Sequence, residues 1–104
     1  MIIQGSNSPV VLTFESDMSN VTEFSAVLIK ANSNAILKRW LKSDIEIATI
    51  DVALPLTQKE TFNFPAGTHT LEIKWVDEHE IRFAEVISME VVQRLDKERF
   101  TVEE

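Results

Sequence analysis

Thr68-His69-Thr70-Leu71-Glu72-Ile73-Lys74-Trp75-Val76 is the stretch that decides the fold class. Leu71, Ile73 and Trp75 alternate with Thr70, Glu72 and Lys74, a period of two that presents one face of an extended strand to a core and the other to water. Immediately before it, Phe64-Pro65-Ala66-Gly67 supplies a reversal in which Gly67 is free to take positive φ. Before that, Thr57-Gln58-Lys59-Glu60 has the spacing of a capping box and predicts one helical turn, packed back on the core by Phe62 and Phe64. On the other side, Asp77-Glu78-His79-Glu80 is a polar hairpin link to a long final run. There Ile81, Phe83, Ile87, Met89 and Val91 share one parity, interrupted by Glu85, which marks either a bulge or an exposed point.

The N-terminal half reads in the same period. Val10, Leu12 and Phe14 fall on one side of a first strand entered through Pro9, and Phe24 to Lys30 is apolar on both faces, as expected of a central, covered strand. Asn32-Ser33-Asn34 predicts a hairpin turn. Ala35 to Lys42 fits a helix or a strand, and the preceding turn with the lack of a C-terminal glycine favours the strand. From Ile45 to Leu54 the apolar parity shifts from odd to even, which a bulge near Ala48 and Thr49 would reconcile before Pro55 ends the pairing. About seven antiparallel strands with one short helical turn point to an all-β domain of two packed sheets over residues 1–94, followed by a charged C-terminal tail over residues 95–104.

Bulk properties narrow the function. A chain of 104 residues suits one domain with a modest core, and 17 acidic against 10 basic residues, a net charge of -7, make nucleic acid a poor partner. No cysteine is present, so disulfides, thiolate zinc sites and cysteine nucleophiles are excluded, and no signal peptide or membrane span is expected. His69 and His79 flank turns with no recognisable nucleophile beside them. Asp77, Glu78 and Glu80 lack the ligand spacing and glycine of a calcium loop and read as a solvated hairpin tip. Catalytic residues, cofactors and metals are therefore not expected.

Four residues stand out for contact with other proteins. Trp40, with Leu41 beside it, reads as an anchor at a sheet edge ahead of a sugar-stacking platform, whereas Trp75 lies on the apolar parity of its strand and reads as core. Phe100 and Val102 alternate amid charges in the tail, which either frays or adds a strand to a neighbour's open edge.

The run Leu54-Pro55-Leu56-Thr57-Gln58-Lys59-Glu60-Thr61, then Phe64-Pro65-Ala66-Gly67-Thr68-His69 and Leu71-Glu72-Ile73-Lys74-Trp75, resembles the immunoglobulin-like domains of Gram-positive phage and prophage structural proteins, of the type found at the N-terminus of baseplate upper proteins. The likeness spans Gly5 to Arg94. The resemblance implies an immunoglobulin-like β-sandwich and a non-enzymatic virion part of tail, baseplate or capsid. Such a part is made in the bacterial cytoplasm and acts by protein-protein contact with other virion proteins or with copies of itself as a homo-oligomer. A carbohydrate-binding module aiding attachment to the host cell wall is the alternative.

Overall fold

The computed structural model describes residues 1–93, which form eight strands and one short α-helix in two sheets. The strands are β1 (Ile2–Ile3), β2 (Val10–Thr13), β3 (Glu23–Ile29), β4 (Ile36–Leu41), β5 (Glu46–Ala48), β6 (Asp51–Leu54), β7 (Gly67–Val76) and β8 (Arg82–Val92), with α1 (Gln58–Phe62) between β6 and β7. The larger sheet has the order β1-β8-β7-β3-β4 and the smaller β2-β6-β5. Ile2 and Ile3 run parallel to Val91 and Val92, so the larger sheet is mixed and the expectation of a wholly antiparallel set is corrected. A two-residue strand is too short to carry any periodicity, which is why sequence patterning passes over it.

One core lies between the inner faces. β3 contributes Phe24, Ala26 and Leu28, β7 contributes Leu71, Ile73 and Trp75, and the smaller sheet contributes Val10, Val52 and Leu54. β3 sits between β7 and β4 as the apolar run implied, although Val27 and Ile29 on its outer face are only half-buried. Phe14 meets Trp75 edge-on at 5.0 Å between ring centroids, a favoured aromatic geometry that joins the end of the smaller sheet to β7.

Local chemistry explains most of the connections. Asn32 adopts a φ of 57° in the β3–β4 turn, which Lys30 N–H closes on Ala35 C=O at 2.9 Å. Asparagine tolerates this left-handed backbone better than most residues. The parity shift between Ile45 and Leu54 proves to be a tight hairpin and not a bulge: Ala48 pairs with Asp51, and Thr49 takes a φ of 59°. Neither central position of this reversal is an asparagine or a glycine. The Thr49 and Ile50 carbonyls are instead fixed from outside, by Met18 N–H at 2.7 Å and Phe14 N–H at 2.8 Å.

The irregularity that does exist lies in β4. Lys38 pairs with Leu28 but Ile36 with Ile29, so Leu37 is the extra residue, and it packs against the core. The capping box forms as its spacing requires, with Glu60 N–H donating to Thr57 Oγ1 at 3.1 Å and Thr57 N–H to Glu60 Oε1 at 3.0 Å.

Candidate interaction surface

β4 places Trp40 and Leu41 on opposite faces. Trp40 is 1% exposed, pairs across the sheet with the small Ala26, and donates its indole N–H to Pro55 C=O at 2.7 Å. Its expected role as an exposed contact anchor is therefore corrected: Trp40 is core. The cause is long-range, since a strand read alone does not reveal that an alanine opposite leaves room for the indole. Leu41, on the outer face opposite Ser25, is 49% exposed and stays on the surface. Phe100 and Val102 lie outside the described residues.

Two side chains of β4 reach the segment running from β6 into α1. Besides the Trp40 contact with Pro55, the Lys38 ammonium forms an ion pair with the Glu60 carboxylate and lies 6.0 Å from the centre of the Trp40 ring system. Partial burial alone would raise the Glu60 pKa, but hydrogen bonds from Lys38 and from Thr57 N–H, with the Lys38 charge, outweigh it and hold the carboxyl below its ordinary value.

The two histidines have different fates. His69 is buried, with Nδ1 accepting Ala31 N–H at 3.0 Å and Nε2 lying 2.7 Å from Pro65 C=O, which assigns the neutral Nε2–H tautomer. Both ring nitrogens are thus occupied in tying the β3–β4 hairpin to the turn before β7. His79 is exposed beside Glu78, and among the described residues no group of three or more histidines, aspartates and glutamates is arranged to hold a metal ion. In the same tip, Asp77 Oδ1 accepts the amides of His79 and Ile81, both at 2.9 Å, while Glu80 takes the positive φ of 65°. The aspartate organises the hairpin in place of a glycine.

The largest opportunity for contact is β8. β7 pairs with it from Arg82 to Val91 without a register shift, so Glu85 is an exposed point opposite Ile73 and not a bulge. On its other side β8 meets only β1 among the described residues, at Val91 and Val92. Val86 is 67% exposed on the outer face, and Phe83, stacked on Trp75 at 5.3 Å, is 42% exposed on the inner one. Beside this strand an open groove of about 600 Å³ runs over the outer face, with Leu41, Val76 and Ala84 between the charges of Glu23, Lys74 and Arg82. The sequence pattern points to Trp40 and Leu41 on β4, and to Phe100 and Val102 in the tail, as contact residues. The apolar alternation of β8 is legible in the sequence, but which part of the strand is left uncovered depends on the short reach of β1 and of the smaller sheet.

No protein-family model, curated protein or solved structure matches this chain. Among the described residues, no helix is long and apolar enough to cross a membrane.

Proposed function

We propose that this chain is a non-enzymatic structural component of a phage or prophage virion, an immunoglobulin-like sandwich that works through protein-protein contacts. The observation that carries the reading is the long side of β8 that no other strand among the described residues covers, with the exposed apolar side chains Phe83 and Val86, an edge suited to strand addition. The capped run from Thr57 to Asn63, the turn at Gly67 and the β7–β8 hairpin supply the motif order on which the likeness to phage domains rests. His69 spends both ring nitrogens on backbone groups, which leaves it poorly placed as a general base.

The rival reading, a carbohydrate-binding module, needs an exposed flat ring. Trp40 and Trp75 are both buried, so only the partly exposed Phe83 remains from the aromatic cluster to serve it. Immunogold labelling of purified particles with an antibody to this chain tests the virion reading: decoration of a tail, baseplate or capsid supports it, and particles free of the chain overturn it. A glycan array tests the rival, which requires specific retention of a cell-wall polysaccharide that Phe83→Ala abolishes.

A further inference from the structure

We infer that the open edge of β8 binds β8 of a second copy, antiparallel about a two-fold axis at Val86, to join two five-stranded sheets into one. The inference rests on the contact-module reading and names its partner. Other edges are shorter: β4, whose Trp40 and Lys38 side chains are tied to Pro55 and Glu60, has 6 residues and a register irregularity, and β2 and β5 are only 4 and 3 residues long, against 11 for β8.

Backbone direction fixes which residues take part. Ile81 C=O accepts Asp77 N–H on the β7 side, and Val92 C=O accepts Gln4 N–H on the β1 side. N–H and C=O groups alternate sides along a regular strand, so Arg82, Ala84, Val86 and Ser88 direct theirs outward. A second β8 can satisfy these groups only if even-numbered residues face even-numbered residues.

Charge and shape then select the register. Centring on Val86 sets Val86 against Val86, Ala84 against Ser88, Glu85 against Ile87 and Phe83 against Met89, and brings the Arg82 side chain of each copy toward Glu90 of the other. Centring on Glu85 opposes two carboxylates. Centring on Ala84 sets Arg82 against Val86 and leaves it without an acidic partner, and centring on Ile87 sets Phe83 against Val91, whose edge Ile2 already occupies. Only the Val86 register is charge-complementary, and a two-fold axis gives it the self-complementarity that a closed dimer requires. The ladder is short, from Ala84 to Ser88, because the parallel pairing of Ile2 with Val91 takes up the edge from Glu90 onward. A weak dimer is therefore expected.

The test is a concentration series by light scattering on the wild type and four variants. Wild type should dimerise, with a dissociation constant on the order of 100 µM or tighter. Val86→Pro removes an outward amide and no bond to β7, and should raise that constant at least about tenfold. Arg82→Glu should weaken the dimer, and Arg82→Glu combined with Glu90→Arg should restore it. These two variants keep the backbone amides and decide the matter if the proline variant fails to fold. Val86→Cys, in a chain with no other cysteine, should cross-link to itself on oxidation. A monomeric wild type throughout the series overturns the inference. So does a dimer that ignores Val86→Pro and the charge reversals and that Val86→Cys fails to cross-link. Neither result touches the contact-module reading, which stands or falls on labelling of particles.

Discussion

The hydroxyl of Thr61 and the backbone amide of Gly5, 56 positions apart in the chain, meet at 3.0 Å. The same hydroxyl donates to Ser6 C=O at 2.7 Å, with Gln58 C=O at 3.1 Å, so a single buried side chain in α1 binds the N-terminal segment to the helix. Thr61→Val preserves the shape and removes both bonds to that segment. It should cost about 2 kcal/mol in urea unfolding, because Gly5 N–H is left buried without an acceptor, and Thr61→Ser should recover most of the loss.

Trp40 ties β4 to the segment that leads into the same helix. Trp40→Phe keeps a ring against Ala26 but leaves Pro55 C=O without the indole donor, and is expected to cost about 1–2 kcal/mol. Trp40→Ala opens a cavity as well and should cost about 3–5 kcal/mol. A surface anchor would show neither loss in thermal unfolding.

Thr49 is a β-branched residue at a φ of 59° in the β5–β6 hairpin. Thr49→Gly removes the clash between Cβ and the backbone that such a conformation imposes, while the carbonyl that accepts Met18 N–H stays in place. A gain of about 0.5–1 kcal/mol is expected in chemical denaturation. A loss would mean that the threonine side chain stabilises the turn by more than its backbone costs.

Glu60 links stability to acid. Its folded pKa lies below the ordinary value of 4.5, so the unfolded chain binds the proton more readily. The stabilisation is complete above the ordinary value and disappears as pH falls through the lowered one. Glu60→Gln should therefore reduce stability at neutral pH and flatten its decline on acidification below about pH 4.5. Parallel stability curves for wild type and variant across that range would refute the linkage.

Much of the fold was legible from short-range chemistry. Leu71, Ile73 and Trp75 declare the buried face of β7, Thr57 and Glu60 declare the helical turn, and Asn32 to Asn34 declare the β3–β4 hairpin. What escaped depends on residues distant in sequence or on elements too short to have a period. Thr49 and Ile50 carry no asparagine or glycine to announce a two-residue turn, since Phe14 and Met18 hold it from outside. Trp40 looks like an edge aromatic until Ala26 is placed opposite it. The proposed contact edge was legible only as an idea, an unpaired strand edge, and placing it on β8 rests on how little of that strand Ile2 and Ile3 cover.

The parallel pairing of Ile2 and Ile3 with Val91 and Val92 also has a mechanical consequence. Tension drawing residue 1 away from residue 93 acts along the direction of these strands, so the bonds between them, Gln4 N–H to Val92 C=O among them, share the load in shear and must rupture together. An antiparallel pair pulled from adjacent ends would instead peel open one bond at a time. Small as it is, this clasp is oriented to resist stretching of the chain.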